Sequence, residues 1–156
     1  MTKDSLCPCG SGAAFSVCCQ PVLDNHRMAV TAEMLMRSRY TAFVLRHAQH
    51  IQSSWHIRTR PKNLNFDDHP VVWLGLQIHS CSKGQESDND GTVDFTCRYL
   101  EQGQFCKLHE RSQFLQEDGL WYYLQGECQV TKEKIVRNSS CPCGSGQKFK
   151  RCCLAK

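Results

Sequence analysis

Between residues 31 and 55 the apolar positions recur at helical spacing. Ala32, Leu35, Met36, Tyr40, Phe43 and Val44 share one face of a helix starting at Ala32. Thr31 can cap it, and Glu33 stands in the first turn, where the helix dipole favours an anion. Arg39 falls inside the apolar face. A second short helix over AQHIQSSW, residues 48–55, brings Trp55 to the same core. The Pro, Asn and Asp content of TRPKNLNFDDHP, residues 59–70, makes that stretch a loop.

Past residue 70 the period changes from about 3.6 to 2. VVWLGLQIHS reads as a strand with Val72, Leu74, Leu76 and Ile78 on one side. The polar, acidic SKGQESDNDG is an exposed hairpin loop, and TVDFTCRYL then places Val93, Phe95, Cys97 and Tyr99 together. Gln102-Gly103 is a two-residue turn, after which QFCKLHERSQFLQ returns as the next strand and DGLWYYLQG adds another turn and strand. That turn sets a register in which Cys106 opposes Tyr99, Leu108 opposes Cys97 and Glu110 opposes Phe95. Helices first and an antiparallel meander afterwards make an α+β fold, with helices packed on the sheet.

Glu110 shares its strand face with Leu108, Ser112 and Phe114, as Arg39 shares its helix face with Met36 and Phe43. A charge on an apolar face is costly unless paired, so Arg39 and Glu110 are expected to meet inside the domain. Arg39, Trp55, His56 and Glu110 are the candidate lining of an internal pocket for a small-molecule ligand. No nucleophile–base pair stands at diagnostic spacing, and His109 faces away from Glu110, so binding is expected rather than catalysis.

The cysteines change the picture. There are twelve, far more than a core of this size needs. Cys97 and Cys106 fit the apolar face as small hydrophobes, while Cys81 and Cys128 flank strands without ligand spacing. The other eight form two copies of one pattern, CPCGSGAAFSVCC at residues 7–19 and CPCGSGQKFKRCC at residues 141–153. Cys-Pro-Cys puts two thiols on one stiff loop, Gly-Ser-Gly turns the chain, and a helical turn carrying Phe15 or Phe149 returns the closing pair. Four thiolates so arranged suit a tetrahedral zinc ion, and iron suits them too. The expected ligands are Cys7, Cys9, Cys18 and Cys19 for one ion, and Cys141, Cys143, Cys152 and Cys153 for a second. Structural zinc contributes roughly 10 kcal/mol or more, which segments this poor in apolar surface require. A disulfide framework is the competing account, but it needs an oxidising compartment and strained bonds between adjacent cysteines.

Composition bounds the rest. A length of 156 residues allows one good core. No run reaches the roughly 18 apolar residues of a membrane span, and MTKDSLCPCG has no apolar stretch of the secretory kind, so the cytoplasm is the expected compartment. The net charge of +4 is unevenly placed. From Glu127 to Lys156 seven Lys/Arg face two Glu, whereas Lys3 and Arg27 balance Asp4 and Asp24 in the first 28 residues. The two knuckles thus share ligands but differ in surface, and the cationic one is a candidate contact for RNA or the ribosome.

CPCGSG followed by Phe and a closing Cys pair resembles the SEC-C motif. That motif occurs in the metal-binding tail of the bacterial preprotein-translocase motor, where it engages a secretion chaperone and the ribosome. The tail usually closes on Cys-His, whereas both copies here close on Cys-Cys, so the resemblance carries metal ligation further than partner contacts. TAEMLMRSRYTAFV, WLGLQIH, GTVDFTCRY, KLHERSQF and DGLWYY are in turn similar to the YchJ family of small bacterial proteins. The resemblance implies a nuclear transport factor 2-like centre, a curved sheet cupping helices into a cone. The expected organisation is a zinc knuckle at 1–24, a central α+β domain at 28–130 and a second knuckle at 136–156. The function expected with it is that of a metal-binding adaptor for a protein partner in secretion or translation.

Overall fold

The computed structural model describes residues 5–64, 66, 71–143 and 145–155. Residues 65 and 67–70 of the expected loop, together with 1–4, 144 and 156, lie outside the described residues. Three helices precede the sheet: α1 (Cys19–Asp24), α2 (Ala32–Leu45) and α3 (Ala48–Ser53). Four strands follow: β1 (Val71–Lys83), β2 (Asp90–Glu101), β3 (Gln104–Glu117) and β4 (Leu120–Lys134). They pair antiparallel in the order β1-β2-β3-β4, a curved meander with α2 packed on one face.

Helix α2 begins where its cap dictates. Thr31 Oγ1 accepts the Met34 amide at 3.1 Å, and Glu33 pairs one turn on with Arg37 at 2.7 Å. The helix is buried on more than the one predicted face. Met36, Arg39 and Tyr40 point toward the sheet, while Leu35, Ser38, Thr41 and Ala42 are also buried, which an all-round neighbourhood of α1, α3 and the N-terminal knuckle explains. Its N-terminus is tied to the first hairpin, where the Ala32 amide donates to Gly84 O at 2.9 Å. That approach leaves no room at the hairpin base: a Cβ on Gly91 would stand 2.5 Å from Gly84 Cα.

The register predicted for β2 and β3 is the observed one, with Phe95 opposite Glu110, Cys97 opposite Leu108 and Tyr99 opposite Cys106. The turn between them places Gln102 at φ 50° and Gly103 at φ 74°, the left-handed pair of a tight hairpin. Cys97 and Cys106 are buried.

Two expectations for the outer strands fail. Alternation in β1 breaks at an irregularity between Trp73 and Gly75, so Val72 is exposed and Leu74 packs toward the C-terminal knuckle. Trp73, Leu76 and Ile78 are the residues that reach the main core. A bulge adds one residue to the strand and inverts the faces beyond it. Strand β4 also runs to Lys134 rather than ending at Gly126, because the first half of β3 still needs a partner and pairs Gln104 with Lys134. Its polar edge residues carry no alternation to read. Cys81 and Cys128 consequently lie within β1 and β4 rather than beside strands, and both are exposed.

The main core joins Cys7, Cys9, Cys19 and Val22 to Leu35, Met36 and Tyr40 of α2 and to Phe95, Phe114 and Trp121 of the sheet. A smaller cluster joins Cys141 and Phe149 to Leu100, with Leu74, Phe105 and Ile135 against it. The N-terminal knuckle is therefore part of the central core, and the C-terminal one is a satellite on the sheet's far end.

Candidate metal centres and the central cavity

The N-terminal loop folds on itself before it meets anything else. Leu6 and Ala14 form an isolated bridge, the Cys7 amide donates to Ala13 O at 2.9 Å, and the Phe15 amide donates to Ser5 O at 2.9 Å. A turn of 3-10 helix, Phe15–Val17, then delivers the closing cysteines, with the Cys18 amide donating to Phe15 O. The C-terminal loop repeats each of these bonds: Ser140 bridges Lys148, the Cys141 amide reaches Gln147 O, the Phe149 amide reaches Ser139 O, and Phe149–Arg151 is the helical turn. Identical spacing has produced identical hydrogen bonding.

In each knuckle the four Sγ atoms lie within 4.8 Å of one another. Cys9 and Cys18 are 3.5 Å apart and Cys18 and Cys19 3.9 Å; Cys143 and Cys152 are 3.5 Å apart and Cys152 and Cys153 4.0 Å. Four sulfurs at about 2.3 Å from one ion stand about 3.8 Å apart at the corners of a tetrahedron. The donor set fits a four-thiolate ion in number, chemistry and spacing. All twelve cysteines are free thiols.

Electrostatics around the sulfurs point the same way. Hydrogen bonding from Cys19, helped by Ser11, pulls Cys9 down to about 4, whereas its role as donor pushes Cys19 up. Burial holds Cys18 at about 11. At the other end Ser145 leads in lowering Cys143 to about 6, and burial raises Cys153 to about 12. Each cluster thus holds one sulfur that ionises most readily, Cys9 or Cys143, beside neighbours that burial and shared hydrogen bonds keep protonated. The surroundings differ. Cys7, Cys9 and Cys19 are buried, Thr41 Oγ1 of α2 lies 3.8 Å from Cys7 Sγ, and Arg37 donates to Cys9 O at 3.1 Å. At the C-terminus Cys143 is exposed, and so are Lys148, Lys150 and Arg151.

A separate cavity of about 290 Å³ lies between α2 and the sheet. Arg39, Trp55 and Glu110 line it, as do Tyr40, Trp73 and Tyr123. His56 does not: its side chain turns away to Glu117, 3.0 Å from Nε2 to Oε1. The expected Arg39–Glu110 pair is indirect. Arg39 Nη1 donates to Ile51 O at 3.0 Å and Ser54 Oγ at 2.6 Å, and its guanidinium stacks on Tyr123, 4.6 Å from the ring centroid. Glu110 Oε1 accepts from Tyr123 OH at 3.0 Å and Ser112 Oγ at 2.6 Å. Tyr123 thus joins the two charges, with its ring against the cation and its hydroxyl on the carboxylate. Burial lowers Arg39 to about 10, so it remains cationic at neutral pH. Gly126 makes the arrangement possible, since a Cβ there would fall 2.0 Å from Glu110 Oε1. Tyr123 and Trp73 were absent from the predicted lining. The strand pattern shows Tyr123 as an ordinary apolar position, and Trp73 reaches the cavity only through the bulge.

The comparisons with known proteins match three stretches of the chain. Residues 31–126 match the family described as YchJ, middle NTF2-like domain, and residues 5–21 and 137–155 match the SEC-C motif. The UPF0225 protein plu2503 of Photorhabdus laumondii subsp. laumondii is 46% identical over 156 residues, covering 95% of this chain and 98% of that protein. The solution structure of RPA3114, a SEC-C motif containing protein from Rhodopseudomonas palustris, superposes with a TM-score of 0.69 at 32% identity, covering 79% of this chain and 98% of that one. A crystal structure of a SEC-C motif containing protein from Psychrobacter arcticus gives 0.65 at 26% identity, covering 98% of this chain and 97% of that one. With an NTF2-like centre and a four-cysteine SEC-C knuckle at each end, the chain belongs to the YchJ family.

Proposed function

We propose that the protein is a non-catalytic adaptor that carries two zinc ions, one in each knuckle, and uses them unequally. The N-terminal zinc, held by Cys7, Cys9, Cys18 and Cys19, locks the chain start onto α2. The C-terminal zinc, held by Cys141, Cys143, Cys152 and Cys153, shapes an exposed cationic module that meets a protein partner in secretion or translation. The observation carrying this reading is the contrast between two clusters of matching sulfur geometry, one buried in the core and one standing outside it. Four closed thiolate positions suit a structural zinc ion rather than a catalytic one. Elemental analysis of the purified chain checks the first half: two equivalents of zinc are expected, and fewer than one overturns it. Affinity capture checks the second half. A Cys141→Ser/Cys143→Ser chain should lose partners that the intact chain retains, and an unchanged partner set overturns the recognition role. Capture of ribosomal RNA in place of protein, lost steeply with salt, would transfer the role to phosphate contacts and equally overturn it.

A further inference from the structure

The face of the sheet turned away from the helices carries, among the described residues, a cluster of side chains able to ligate a metal that includes no cysteine. His79 on β1, Asp94 on β2 and His109 on β3 each offer one ligand atom, and these atoms lie within 4.8 Å of one another. We propose that His79, Asp94 and His109 form a binding site for a divalent first-row transition ion such as Zn²⁺, independent of both knuckles.

The site depends on a backbone irregularity. Ile78 pairs with Phe95 and Ser80 with Asp94, so His79 is the extra residue of a bulge. A regular strand would set its side chain squarely opposite one neighbour. The bulge instead aims it across the second strand, where Nε2 comes within 2.8 Å of Thr96 Oγ1. His109 reaches the same point from the third strand, with Nε2 2.8 Å from Asp94 Oδ1. The two rings meet edge to face at 71°, centroids 5.8 Å apart, which brings their nitrogens together without stacking.

Two imidazoles and a carboxylate are borderline donors that suit Zn²⁺, Co²⁺ and Ni²⁺ far better than Mg²⁺ or Ca²⁺. Three donors leave coordination positions open to water, unlike the closed thiolate sets at the ends of the chain. Three neighbouring strands hold the donors with little freedom to lose on binding, which favours capture of the ion. An Asp94–His109 surface ion pair alone would stabilise the fold little and would give no role to the bulge or to His79.

The test uses the full chain with its cysteine clusters already loaded and free metal removed. Zn²⁺ is then titrated while bound metal is counted and the histidine ring resonances are followed by NMR. A further equivalent should bind and move the His79 and His109 ring signals. His79→Ala and His109→Ala should each weaken that equivalent by at least about tenfold, leaving the metal held beforehand unchanged. Both rings are exposed, so these variants should fold, and retention of the earlier metal verifies it. Ring signals that stay fixed at saturating zinc overturn the proposal. So does an extra equivalent indifferent to both substitutions.

Discussion

His50 on α3 is buried against α2, with Nε2 2.9 Å from Ser38 Oγ. Burial first, and then the positive charge of His26, Arg39 and His47, lowers its pKa from 6.5 to about 3. The folded protein therefore keeps the ring neutral where the unfolded chain already binds a proton. Stability is complete above the unfolded value near 6.5 and declines as pH falls from there toward about 3, by up to ~1.4 kcal/mol per pH unit. Urea unfolding of the native chain and of His50→Gln should show this between about pH 6.5 and pH 5. The native chain is expected to lose at least ~1 kcal/mol more than the variant over that window. Acid also weakens thiolate–metal bonds, but both chains share that loss, so the difference isolates the ring. Equal slopes would mean that the buried ring takes up its proton without cost. His26, which hydrogen-bonds Trp121 O at 2.6 Å and is likewise lowered by burial, stays in both chains.

Among the elements, α2 and the β2–β3 hairpin have the plainest local causes. One hydroxyl at Thr31 satisfies an amide that the helix cannot, and one Gln-Gly turn sets the pairing of a dozen residues on either side. Thr31→Ala should cost about 1 kcal/mol in denaturant unfolding, and Thr31→Ser should recover most of it. An unaffected midpoint in the alanine variant would show that packing alone holds the helix start. The outer strands lack such local causes. Alternation in β1 is reset by irregularities at Trp73/Gly75 and Ile78/Ser80, and β4 continues past Gly126 through a polar edge. Both features follow from the neighbouring strand rather than from the residues themselves.

For the molecule as a whole, the two knuckles are chemically alike and mechanically different. Cys7, Cys9 and Cys19 are packed with Leu35, Met36 and Tyr40, so removing an ion from the proposed N-terminal site would leave unpaired sulfur inside the main core. Cys7→Ser/Cys9→Ser should destabilise the central domain by about 3 kcal/mol or more. Cys141→Ser/Cys143→Ser should change it by less than about 1 kcal/mol, since that knuckle packs in a small satellite cluster around Leu100 and Phe149 rather than in the main core. A chelator should correspondingly strip the C-terminal ion first, because Cys143 is exposed whereas Cys9 is buried. Calorimetry on the two double variants checks the asymmetry, and equal destabilisation would contradict it. No helix among the described residues is long and apolar enough to cross a membrane.

The eight knuckle cysteines, the helix over Ala32–Leu45, the hairpin register and the α+β class were all legible along the chain. Each rests on short-range physics: ligand spacing within one loop, a cap three residues from its amide, a turn that dictates its own pairing. The unequal standing of the knuckles was visible only as a difference in charge, because burial of Cys9 depends on α2, whose Arg37 caps its carbonyl from far along the chain. The same holds in the cavity, where Arg39 and Glu110 stood out as misplaced charges but Tyr123, the residue between them, resembled any other strand aromatic. His79, Asp94 and His109 were three ordinary surface residues until a bulge and two strand pairings converged them. Spacing written into a segment survives any tertiary context, whereas contacts between distant segments exist only once the chain has closed on itself.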